Sequence, residues 1–140
     1  MNKQIIINAP KSTIFDALTI PEKIMQYFPL KQVKGDWKVG GKVEYIREIG
    51  GITSTDFTYI EVLDKPSRFQ YSYWNHNHGT ENRPENHLTI CYQLSKHENG
   101  TLLSLTQSNI QNPKMYKQMN TTIWDYLLGT LKEFAENKNS

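Results

Sequence analysis

The sequence predicts an α+β domain in which a curved antiparallel sheet wraps around one long C-terminal helix. Three observations predict it. A β-branched strand is followed by two short helical segments, aromatic-rich alternating segments fill the middle, and a three-to-four apolar spacing runs from about Pro113 to Asn137. A sheet curved about a single helix encloses a space, so function is expected to be written in what fills it.

At 140 residues the chain matches one domain, 1–140, with order expected from about residue 3 to 136. Its 16 basic and 14 acidic residues are spread along the chain, giving a net charge of +2 and no basic run suited to a row of phosphates. Nucleic acid is therefore not an expected partner. Cys91 is the single cysteine, which leaves no internal disulfide and no CxxC motif, and fits a reducing cytoplasm. The apolar run Ile5–Ile7 is far too short for a signal peptide. Nothing elsewhere approaches the ~20 apolar residues that span a bilayer.

The elements follow in order. Lys3 to Asn8 is a strand because its isoleucines are β-branched, and Ala9-Pro10 ends it. Ile14, Phe15 and Leu18 recur at helical spacing in a first short helix, Lys11 to Leu18. Thr19 to Glu22 reads as a capping box with Pro21 in the first turn of a second helix. Ile24, Met25, Tyr27 and Phe28 form that helix's buried side, and Pro29 ends it.

After Gly40-Gly41, Val43, Tyr45, Arg47 and Ile49 alternate with Lys42, Glu44, Ile46 and Glu48, a period-two strand with one mainly polar face. Gly50-Gly51 makes the turn into a strand from Thr53 to Leu63. Its parity stays open, because Phe57 and Tyr59 compete with Ile60 and Val62 for the inner face. Phe69, Tyr71 and Tyr73 alternate in the next strand, and Asn75 to Asn86 is a polar loop. Leu88, Ile90, Tyr92 and Leu94 alternate again, Asn99-Gly100 supplies a hairpin turn, and Leu102 to Ser108 is the last strand. Met115, Met119, Ile123, Tyr126, Leu127, Leu131 and Phe134 then keep helical spacing over about six turns. Gly129 within that pattern suggests a close approach to the sheet.

In this order the residues resemble the START-like (SRPBCC) helix-grip superfamily, which includes the birch pollen allergen and polyketide cyclases. The closer resemblance is to homologues of the heat-shock-protein ATPase activator, in its C-terminal domain. It runs from about Lys3 to Ala135. It rests on Ala9-Pro10 before a helix, on Trp37-Lys38-Val39-Gly40-Gly41-Lys42-Val43, and on Glu61-Val62-Leu63-Asp64-Lys65-Pro66-Ser67-Arg68-Phe69-Gln70-Tyr71-Ser72-Tyr73. Gly100-Thr101 and Trp124-x-x-Leu127-Leu128-x-x-Leu131 complete it. The chain departs from the common pattern at Tyr27-Phe28, where a tryptophan is frequent, and at Lys65-Pro66, where a double proline is. The resemblance implies about seven strands wrapped on the terminal helix. It also implies a cavity for an apolar or amphipathic small molecule, and no shared catalytic residue.

Tyr45, Phe57, Tyr59, Phe69, Tyr71, Tyr73 and Tyr92, facing Met115, Met119, Ile123 and Leu127, are the candidate ligand-binding residues. Tyrosine hydroxyls orient an otherwise apolar guest, whereas the simpler reading is core packing. Arg47 shares the parity of Val43 and Tyr45. It either meets an anionic ligand group, pairs with Asp56 or Glu61, or snorkels to water.

His76, His78 and His87 with Glu81 and Glu85 form the one histidine cluster, in a polar loop, and no metal or cofactor is expected from them. No GxSxG, no base beside Cys91 and no phosphate loop is present, and Glu44 with Glu48 reads as a solvated face, so no catalytic residue is assigned. The expected function is binding of a small apolar or amphipathic molecule, a lipid among the candidates. The alternatives are a chaperone-accessory interaction module with a chaperone partner, and a polyketide-cyclase-like enzyme using Arg47 and tyrosine hydroxyls.

Overall fold

The computed structural model describes residues 2–75, 81–108 and 124–137. Strand β1 (Asn2–Ile7) leads into helices α1 (Lys11–Thr19) and α2 (Pro21–Tyr27). Six further strands follow: β2 (Gln32–Gly35), β3 (Lys42–Ile49), β4 (Ile52–Asp64), β5 (Arg68–Trp74), β6 (Leu88–His97) and β7 (Gly100–Ser108). Helix α3 (Trp124–Glu136) closes the described chain. The strands form one antiparallel sheet in the order β1-β7-β6-β5-β4-β3-β2. This is the helix-grip architecture expected from the sequence.

β1 and β2 are the two edges, and α1 with α2 links them across the sheet. Both helices also touch α3, so the three helices cover one face. Ile7, Ile14, Leu88, Ile90, Leu103, Leu105 and Leu131 are wholly buried where that face meets the helices. The other face of β3 carries Glu44 and Glu48, which meet Lys34 and Lys31. The Lys31 hydrogen bond holds the exposed Glu48 carboxyl below its ordinary range.

Several local expectations need correction. β2 escaped the reading by alternation because four residues are too few to show a period. The capping box does not form: Ile20 is the N-cap of α2, and Thr19 ends α1 with its hydroxyl donating to Phe15 O at 2.8 Å. Pro21 does start α2, where its missing N–H costs nothing. Met25 is 40% exposed, because a seven-residue helix fully buries only Ile24.

Ile49 and Ile52 pair across Gly50-Gly51, both glycines having positive φ, as a two-residue turn matched to the twist of the strands requires. The β6–β7 turn lies one residue earlier than expected, at Glu98-Asn99, since Gly100 already pairs with His97. Glycine is needed there for another reason: its φ is 127°, and a Cβ would collide with the Ile7 carbonyl oxygen.

The buried side of α3 is Trp124, Leu127, Leu128, Leu131 and Ala135. Tyr126 falls off that stripe and is 56% exposed, against expectation, because Leu128 rather than Tyr126 completes the turn with Leu127 and Leu131. Two contacts fix the C-terminal end of α3 to β1 and to the residue that follows it. Lys132 Nζ donates to Ile6 O at 2.7 Å, and Glu136 Oε2 accepts from Asn8 N at 2.8 Å. Lys132 and that backbone N–H together hold the Glu136 carboxyl below its ordinary range.

Gly129 does not mark a close approach, for a Cβ built there meets nothing within 4 Å. Gly129→Ala should therefore stabilise the protein by about 1 kcal/mol through helix propensity, raising Tm by about 4 °C. A thermal melt that shows a lower Tm for the variant would contradict this assignment.

Candidate functional site

The site is built on the concave, helix-facing side of the sheet. Residues paired across antiparallel strands share a face, so the register decides membership. Tyr45 pairs with Asp56, Thr58 with Tyr73, Ile60 with Tyr71 and Phe69 with Tyr92. A bulge between Ile60 and Val62 then brings Leu63 opposite Phe69. Tyr45, Phe69, Tyr71, Tyr73 and Tyr92 thus lie together on one face, as expected.

Phe57 and Tyr59 do not join them. They pair with Trp74 and Ser72 on the convex face, where Phe57 packs on Trp74 at 6.2 Å and Tyr59 stacks on His87 at 5.4 Å. The reason is the bulge, which lets Ile60 and Leu63 both face inward and leaves the aromatic pair outside. Met115, Met119 and Ile123 lie outside the described residues. Leu127 is buried in the same core.

The rings form a connected layer. Tyr71 is its centre, with centroids 6.3 Å from Tyr45, 5.2 Å from Phe69, 6.1 Å from Tyr73 and 6.5 Å from Tyr92. Trp37 joins at 6.5 Å from Tyr45 and 6.0 Å from Phe69. Tyr27 approaches from α2, its hydroxyl donating to Ala17 O at 2.8 Å and its ring 5.5 Å from Phe134. Burial raises the hydroxyl pKa of Tyr27, Tyr45, Tyr71, Tyr73 and Tyr92 well above the ordinary value. Trp37 Nε1 is the one buried side-chain nitrogen or oxygen without a hydrogen-bond partner among the described residues.

Polar groups gather at the end of this layer nearer Tyr73. Arg47 Nη2 donates to both oxygens of Asp56, at 3.0 and 3.1 Å, so the pairing with Asp56 anticipated for Arg47 forms, whereas Glu61 meets Gln70 on the convex side. Asn75 Nδ2 donates to Asp56 Oδ1 at 2.6 Å and to Ser54 Oγ at 3.0 Å. Further along, Gln107 Nε2 donates to Tyr73 OH at 3.4 Å, and Trp124 Nε1 donates to Gln107 Oε1 at 3.0 Å.

Asn75, Gln107, Trp124 and Trp37 are the residues that sequence reasoning did not assign to the site. Gln107 had a signal, as the polar member of the inward series Leu103, Leu105, Gln107. Asn75, at the start of a polar loop, had none.

His87 is buried under Tyr59, with Ser72 and Asn82 as hydrogen-bond partners, and desolvation lowers its pKa. His76 and His78 lie outside the described residues. Among the described residues no group of three His, Cys, Asp or Glu is placed to hold a metal ion, and no helix is long and apolar enough to cross a membrane.

Residues 8–136 match the model of the Activator of Hsp90 ATPase homolog 1-like protein family. The chain belongs to this family. Solved structures superpose on it over nearly its whole length. A solution structure from Cytophaga hutchinsonii is 31% identical, with a TM-score of 0.80 over 99% of this chain and 94% of that one. The Aha1 dimer from Colwellia psychrerythraea is 22% identical, with a TM-score of 0.78 over 100% and 98%. CalU16 from Micromonospora echinospora shares the fold at 22% identity and a TM-score of 0.69, over 99% of this chain and 75% of that one. No protein of curated function matches the sequence.

Tyr71, Tyr73 and Tyr92, which are buried, and Tyr27 and Tyr45, which are partly buried, give this family member a defined alkaline response. Unfolded phenols ionise near pH 10, and the folded ones only above it. Their contribution to stability is therefore complete below about pH 10 and is lost as the pH rises toward the folded values. Phenolate absorbance should show these groups withheld until the protein unfolds. Smooth ionisation of all tyrosines near pH 10 in the folded protein would refute their burial.

Proposed function

We propose that this protein binds a small apolar or amphipathic molecule between the concave face of the sheet and α3, with Tyr45, Phe69, Tyr71, Tyr73, Tyr92 and Leu127 as its walls. Met115, Met119 and Ile123 belong to the proposed wall by sequence alone. One observation carries the reading: the layer contains a polar hydrogen that the described protein does not satisfy. Trp37 Nε1 is buried without an acceptor among the described residues. Leaving a buried donor unpaired costs about 1–3 kcal/mol, which an acceptor on a guest would recover. A sealed core would use leucine or phenylalanine at this position at no such cost.

Thermal-shift screening of lipids, aromatic acids and polyketide-like compounds should raise Tm, by an amount set by concentration over Kd. Tyr71→Trp fills the centre of the layer and should abolish that shift while the variant remains folded. Retention of the shift would place the ligand elsewhere. Mass spectrometry of small molecules extracted from the natively purified protein would identify the guest.

A second reading is a chaperone-accessory interaction module. It is supported by the family description and by the likeness to the Colwellia Aha1 dimer. The measurement is co-purification with an Hsp90-class chaperone and the chaperone's ATPase rate with and without this protein. Absence of both a complex and a rate change would remove this reading.

A further inference from the structure

The polar end of the concave face holds an unevenly spent ion pair. Arginine carries five N–H donors. Asp56 engages only Nη2 of Arg47, and among the described residues nothing accepts from Nε or Nη1. Asn75 Nδ2 also donates to the carboxylate, to Oδ1 at 2.6 Å. The two side chains are 23% and 21% exposed, which is neither a solvated surface pair nor a dry internal one. Tyr45, two residues before Arg47, lies on the same strand face. Hydrogen-bond donors are therefore in surplus here, while charge is already balanced.

Those two facts select the chemistry of a guest. A carboxylate placed on the unused edge of Arg47 would also face Asp56, and one guanidinium cannot neutralise two carboxylates in a half-desolvated site. A carbonyl oxygen takes the same donors and brings no charge to repel. Resting on the binding reading above, we propose that the bound molecule ends in a neutral hydrogen-bond acceptor, a ketone, ester or amide carbonyl. That group accepts from Arg47, and Asp56 acts as the specificity residue that rejects carboxylate-ended analogues. The apolar body lies along the tyrosine layer.

The test uses three probes with one aromatic body, acetylnaphthalene, ethylnaphthalene and naphthoate, substituted at the same ring position. On the unaltered protein, calorimetry should give acetylnaphthalene about tenfold tighter than ethylnaphthalene, the scale of one hydrogen bond to a charged group, with naphthoate no tighter than ethylnaphthalene. Asp56→Asn should raise naphthoate about tenfold relative to ethylnaphthalene, since Arg47 is then unneutralised. The double variant Arg47→Met, Asp56→Leu leaves no orphaned charge, and in it the acetyl-over-ethyl ratio should fall to near one.

Naphthoate binding tightest to the unaltered protein, or equal affinity for all three, would overturn the inference and leave the binding reading standing. Failure of every probe and of the wider screen would overturn both.

Discussion

The pairing of β4 with β5 decides which side chains this protein shows to its interior. Strand side chains alternate, so a one-residue slip exchanges the two faces of a strand completely. The extra residue at the bulge between Ile60 and Val62 lets Ile60 and Leu63 meet Tyr71 and Phe69 without sacrificing either. The same choice sends Phe57 and Tyr59 outward and brings Ser54, Asp56 and Thr58 inward. Small and polar side chains therefore oppose Arg47, Tyr45 and Tyr73. The polar end of the concave face exists because of that register.

How much could be read from the residues alone follows from how many faces each strand must keep dry. β3 was legible because Lys42, Glu44 and Glu48 mark one side as solvated, so Tyr45 and Arg47 had to take the other. β4 was not, because apolar residues stand on both its parities and only the partner strand chooses between them. β2 was invisible for want of length. In α3 the stripe through Trp124, Leu127, Leu128 and Leu131 was legible as a motif, but spacing alone wrongly drew Tyr126 into it. The aromatic members of the site on β3, β5 and β6 were thus within reach of pattern reasoning. The hydrogen-bonding members were not, since Asn75 and Trp37 owe their positions to a loop and a turn that no period describes.

Tyrosine is an expensive filling for an interior. Each ring brings large apolar area, but each hydroxyl must find a partner or be left short of one. Tyr27 and Tyr73 find theirs in Ala17 O and Gln107. Trp37 keeps a deficit nearby, its Nε1 buried without an acceptor among the described residues. The fold is shared with relatives at 16–22% identity, so the architecture by itself specifies little.

The contact between Lys132 and the Ile6 carbonyl has a bearing on self-association. β1 is an outer strand, and outer strands offer backbone groups to any chain that can dock alongside, an invitation to runaway fibre growth. An ammonium group seated on one of those carbonyls acts as a stopper. A newcomer would have to evict a cation and strip its neighbour Glu136 of a counter-charge before the first rung could form. The terminal helix therefore also occupies one backbone acceptor at the margin of its sheet.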